Sequence, residues 1–190
     1  MIRLKKSSLE VGSTFGDKTN HGATQSLAVM TGDAQFSPDR TYRYWLSREW
    51  PVSTQSCAFI MLNPSTATAE QDDPTIRRCV RFAQGWGYGT LYVVNLFAFC
   101  ATDPTDLKKA VDPIGPDNDQ SILAVMGQCS LTIAAWGVNG VYMDRHDRVL
   151  QLISSAGGRL WHLRLSKAGH PMHPLYLPAN ALPIEWQAYR

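Results

Sequence analysis

The fold class that the sequence predicts is α/β: a three-layer α/β/α domain with a four-stranded parallel sheet, preceded by an N-terminal β-hairpin. Three observations predict it. Short apolar runs at 57–62, 91–99, 131–137 and 159–165 alternate with amphipathic stretches at 73–87, 116–128 and 143–158. The amphipathic stretches carry helix start and stop residues. The segment ahead of them, 34–50, alternates with period two. Strands that alternate with helices imply right-handed crossovers and a parallel sheet covered on both faces.

Taken in order, residues 1–30 are rich in Ser, Thr, Gly and Lys and lack a sustained period, so they read as a flexible arm. Residues 31–190 read as one domain. In "AQFSPDRTYRYWLSREW" (34–50), Ser37-Pro38-Asp39 is turn chemistry, and Tyr42, Tyr44 and Leu46 alternate with Arg43, Trp45 and Ser47 as in a hairpin. "CAFIML" (57–62) is a buried-type strand. Asp73 then supplies an N-cap and Pro74 the first helical position. Ile76, Cys79, Val80 and Ala83 fall on one face of that helix, and Gly85 and Gly87 stop it. "LYVVNLFAF", "LTIAAWG" and "RLWHLRL" are the second to fourth strands. Helices at 116–128 and 143–158 lie between them, the latter closed by glycines.

The chain has 190 residues, a length for one domain with a real core. Its 44% hydrophobic and 18% charged residues exclude the disordered class. A net charge of +2 provides no broad basic surface, so nucleic-acid binding would need a local patch. The cysteines, Cys57, Cys79, Cys100 and Cys129, are widely spaced and read as small core residues in a reducing compartment. No apolar run approaches the roughly 18 residues of a membrane span, and no secretory h-region is present. The expectation is a cytoplasmic protein that binds no membrane.

In an open parallel α/β sheet, ligands bind beyond the carboxyl ends of the strands. The first strand ends at Asn63-Pro64-Ser65. The turn either positions a water or an amide-bearing ligand, or is ordinary Asn-Pro turn chemistry. Asp72 and Asp73 follow. One caps the helix, and the other is free to act as a general base or to offset a cationic transition state. Arg77 and Arg78 are either a phosphate-binding face or a solvated helix face. Asn95 lies within the apolar "VVNLF", and its buried amide needs a partner, either a ligand edge or backbone. Trp136-Gly137 offers close backbone approach and a flat wall, or plain core packing. His170 and His173 in "GHPMHP" lack a third ligand for a metal, so no metal or other cofactor is expected. Either imidazole suits a general acid or oxyanion-stabilising role, or a loop-rigidifying one.

The ordered pattern "MLNPSTA…DDPTIRRC…WGYG…VVNLFAF…AAWG…GHPMHPLYLP" resembles an uncharacterised family of bacterial and phage proteins, a domain of unknown function, over roughly residues 34–186. It also resembles, more distantly, the uracil-DNA glycosylase superfamily. That resemblance implies a parallel four-stranded sheet between helices. It also implies a water-positioning Asn63, a base-reading Asn95, a Trp-Gly pair at Trp136-Gly137 and an oxyanion-stabilising His173. The chain departs from the superfamily pattern at Leu62, where a glycine precedes the motif, and at Leu175-Tyr176, where the final loop carries Ser-Pro.

The expected function is a glycosylase-like hydrolase acting on a base or modified nucleotide in nucleic acid, with Phe97 or Trp136 stacking on an extruded base. DNA or a nucleotide is the expected partner. The alternatives are a non-catalytic nucleic-acid or nucleotide-binding module on the same fold, and an unrelated small-molecule enzyme.

Overall fold

A computed structural model describes residues 30–187. The expected arm over 1–30 lies outside them, save for its last residue. Strands β1 (Thr31–Phe36) and β2 (Arg43–Glu49) form the expected hairpin, closed by Asp39, which accepts from the Ser37 and Thr41 hydroxyls at 2.6 Å. Strand β3 (Ser56–Met61), helix α1 (Pro74–Gly85) and strand β4 (Thr90–Asn95) follow. Next come the single turn α2 (Pro104–Leu107), helix α3 (Asn118–Gln128), strand β5 (Leu131–Ala134), helix α4 (Arg145–Ser155), and strands β6 (Trp161–His162) and β7 (Ile184–Glu185).

The sheet differs from the expected one. Among the described residues it has seven strands in the order β1-β2-β4-β3-β5-β6-β7 and is mixed, not four-stranded and parallel. Its centre, β4-β3-β5-β6, is parallel, with Phe59 opposite Val93 and Ile133. The hairpin joins this sheet instead of standing apart, because β2 pairs antiparallel to β4 with Leu46 opposite Val93. β7 extends the other edge antiparallel to β6. The fourth strand is much shorter than 159–165: only Trp161 and His162 enter the ladder, while Leu165 bridges Pro171.

Strand alternation distributes the core to two faces. Cys57, Phe59 and Met61 pack with Ile76, Cys79, Val80 and Phe82 of α1. Ala58 and Ile60 pack with Ile122 and Val125 of α3 and with Val149 and Ile153 of α4. Helices therefore cover both faces. Asp73 caps α1 through the Ile76 N–H at 2.8 Å, with Pro74 in the first turn. Helix α4 starts at 145, not 143, because Met143 (φ 57°) and Asp144 (φ 53°) are in the left-handed region and break the helical path. Burial pushes the Cys129 thiol up to about 12, and Cys57 and Cys79 are shifted upward by the same cause. No helix among the described residues is long and apolar enough to cross a membrane.

Candidate functional site

A cavity of about 400 Å³ lies at the carboxyl ends of β3, β4 and β5. A larger hollow, about 490 Å³, lies between α3 and α4 beside the opposite end of β5, against Met126, Ile153 and Gly158. None of its lining residues has a buried polar side-chain atom without a partner, whereas the smaller cavity has several. Chemistry, not volume, marks the smaller one.

Asn63 forms its first wall. Nδ2 donates to the carbonyls of Pro64 (2.9 Å) and Ala101 (2.7 Å), clamping the strand-end turn to the segment after β4. Both Nδ2 hydrogens are thus used, and Oδ1 is the amide atom left for a ligand. Asn95 closes β4. It is 1% exposed, and neither Nδ2 nor Oδ1 has a hydrogen-bond partner. A buried amide with both functions open costs stability unless something else satisfies it. Asn118 fixes the backbone around it by donating through Nδ2 to the carbonyls of Asn95 (3.1 Å) and Leu96 (2.9 Å). Trp136, buried and with Nε1 unpartnered, forms a further wall. Gly137 follows at φ +74°, its N–H donating to the Pro171 carbonyl at 2.8 Å.

His173 comes from the loop after β6. Its Nδ1 accepts the Leu175 N–H at 3.3 Å, so in the neutral imidazole Nε2 carries the proton and is a donor. Burial lowers its pKa, and the Asp73 charge partly opposes this. Arg78 docks the loop on α1. Its Nε donates to the Pro174 carbonyl at 3.4 Å, its Nη2 donates to the Leu177 carbonyl, and its guanidinium lies 4.7 Å from the Phe82 ring centre.

The cavity brings together Asn63, Ser65, Asp73, Asn95, Trp136, Gly137 and His173 of the sequence-predicted residues. The others lie elsewhere. Asp72 pairs with Arg48 at 2.7 Å. Arg77 is exposed and donates to the Asp72 carbonyl at 2.6 Å. Arg78 straps the His173 loop rather than lining the cavity. Phe97 is fully buried against Tyr142, with ring centres 5.6 Å apart. His170 stacks edge-on to His146 at 5.9 Å, and Pro64 is buried beneath the turn. Among the described residues no group of three or more His, Cys, Asp or Glu converges as a metal site.

The cavity also holds residues that sequence reasoning missed as site members. Arg43, on β2, is 2% exposed; Thr75, Thr102, Asn139 and Tyr176 complete the polar lining. Asn139 follows Trp136-Gly137 just past the end of β5, and that position was its signal. Arg43 had only the signal of a charge within an aromatic strand.

Fold and site together define a mixed α/β protein with an amide-rich cavity at the carboxyl ends of its central parallel strands. Residues 43–175 match the family described as a protein of unknown function, DUF1643, and the chain belongs to that family. The matched span starts at Arg43 and includes all of the cavity lining except Tyr176. No curated protein and no solved structure matches the chain.

Proposed function

We propose that the cavity binds a nucleobase and that the protein is a glycosylase-like hydrolase of the N-glycosidic bond, on a scaffold related to the uracil-DNA glycosylases. The observation that carries this reading is Asn95. A side-chain amide offers one donor edge and one acceptor edge in a plane, the complement of the amide edge of a pyrimidine or an oxopurine. Here neither edge has a partner within the protein, and the residue lines the cavity.

The surrounding groups suit the reaction. Water attacks the sugar C1′, the C1′–N bond breaks, and its electron pair leaves with the base. Asn63 Oδ1 and the Asp73 carboxylate orient the water. Asp73 receives its proton and offsets positive charge building on the sugar. His173 Nε2–H donates to the base oxygen on which negative charge develops. The flat Trp136 side chain supplies an apolar wall for the base.

The test is base release, followed by mass spectrometry, from a panel of canonical, deaminated and modified DNA, RNA and nucleotides. Wild type releases one base. Asn95→Ala abolishes its recognition, and His173→Ala slows release by about 10²–10³-fold. Equal release by wild type and both variants overturns these roles. One observation favours a second reading, a binding module without hydrolysis: Asn63 spends both Nδ2 hydrogens on the turn, a structural task. Saturable binding of a base by folded wild type with no product identifies that case.

A further inference from the structure

Arg43 is a buried cation whose side-chain hydrogen bond goes to a neutral carbonyl. Arg43 lines the cavity and is 2% exposed. Nη1 donates to the Ala67 carbonyl at 2.7 Å, and the backbone N–H donates to the Ala98 carbonyl at 2.9 Å. Nε is buried with no partner at all. Among the described residues no carboxylate forms an ion pair with it. Asp73 lines the same cavity and acts on Arg43 through its charge, but its Oδ1 holds the Ile76 N–H. Arg48, the other buried arginine of β2, shows the contrast: it is matched by Asp72 and by the carbonyls of Ser47, Thr68 and Gln71.

A guanidinium does not shed its proton in a protein, and a buried unpaired charge is costly. Its planar fork fits an oxyanion with two parallel bonds. Arg43 is tied to the segment after β4 through the Ala98 carbonyl and to the turn after Asn63 through the Ala67 carbonyl. Arg43 and Asn95 line the same cavity, so one ligand can meet both.

We propose that Arg43 is the anion anchor of this cavity and that the ligand is a small nucleotide with a terminal phosphate, taken up whole. This rests on the reading that the cavity binds a base, and narrows its substrate class. An internal nucleotide of a strand continues on both sides of its phosphodiester, and burying that group beside Arg43 would need two exits for the chain. A terminal phosphate needs none. The small net charge of +2 fits a ligand recognised by one buried cation better than a polymer recognised by a basic face.

The experiment is calorimetric titration of the full chain with the common nucleosides, their 5′-monophosphates, inorganic phosphate, and a short single-stranded oligonucleotide lacking terminal phosphates. The expected result is one monophosphate bound about tenfold or more tighter than its nucleoside, the size of a charge-assisted contact. In Arg43→Gln that preference collapses while nucleoside affinity remains. If this variant does not fold, Arg43→Lys replaces it. The lysine keeps the charge but loses the fork, so the preference shrinks, and an undiminished preference overturns the anchor. Equal affinity of nucleoside and monophosphate overturns the anchor and leaves base binding standing. An oligonucleotide that binds as tightly as the monophosphate overturns the small-ligand class. Binding of phosphate alone, or of no base-bearing probe, overturns the base reading itself.

Discussion

Arg48 and Asp72 form a nearly dry ion pair, Nε to Oδ1 at 2.7 Å, with side chains 3% and 16% exposed. The pair joins the hairpin strand β2 to the segment that leads into α1, and it gives Asp72 a structural task. Asp72→Ala leaves Arg48 buried without its carboxylate and is expected to cost about 3 kcal/mol. Urea denaturation of the single variant, and of Arg48→Met/Asp72→Leu, measures it. The double variant recovers much of the loss, because the uncompensated charge is gone. Stability of Asp72→Ala within experimental error of wild type would remove the pair from the account.

Asp73 does two things that one pair of variants separates. It caps α1, and it lines the cavity. Asp73→Ala loses the cap and about 1 kcal/mol of stability. Asp73→Asn keeps a capping oxygen and removes the charge, so it stays close to wild type in stability yet loses base release. Release by Asp73→Asn at the wild-type rate reduces the residue to a cap.

Burial lowers the pKa of His173 and of His162, whose Nδ1 is buried without a partner. Both folded values lie below the ordinary value of about 6.5. As pH falls through that value the unfolded chain takes up protons that the folded chain refuses, so stability declines on acidification and is insensitive to these groups above it. Urea midpoints measured from neutral to mildly acidic pH should fall less steeply in His162→Gln and His173→Gln than in wild type. Parallel curves for all three proteins would contradict the assignment.

Gly140 is packed against Trp136. A Cβ there meets Trp136 Cδ1 at 2.2 Å and Nε1 at 2.7 Å, and Leu96 Cδ1 at 3.1 Å. Gly140→Ala must push the indole off its site and is expected to destabilise by about 1–3 kcal/mol, the range for overpacking. Because Trp136 walls the cavity, affinity for any base-bearing ligand falls with it. Unfolding curves and titration of the same variant check both effects, and an unaltered indole environment by fluorescence would refute the clash.

Much of the parallel centre was legible because its strands are continuous apolar runs, and buried parallel strands have that pattern. Asp73 and Pro74 marked the start of α1 for reasons local to the chain. The width of the sheet was not legible. β7 is two residues, Ile184–Glu185, and no periodicity can show in so short a stretch. "RLWHLRL" reads as seven strand residues, yet only Trp161 and His162 pair, since pairing depends on where neighbouring strands end.

Of the cavity lining, Asn63, Asn95 and Trp136 were legible because each breaks or ends an apolar run, and His173 because it sits in the loop that follows the last parallel strand. Arg43 was hidden. In an alternating strand an arginine reads as the solvent side, but here the turn after β3 meets the side chain, with the Ala67 carbonyl accepting from Nη1. Phe97 failed in the opposite sense: an aromatic two residues past Asn95 carries no sign of which way it turns, and it joins the core with Tyr142.

The cavity is lined by residues from 43 to 176, drawn from β2, the ends of β3, β4 and β5, the start of α1 and the last loop. No short piece of the chain contains it, so it vanishes when the chain unfolds. Whatever fills it is therefore a folding cofactor in the thermodynamic sense. At a hundred times its Kd a ligand adds about 2.7 kcal/mol to the folded state. The protein's own melting temperature is thus a general readout of occupancy, and one that needs no assumption about the reaction.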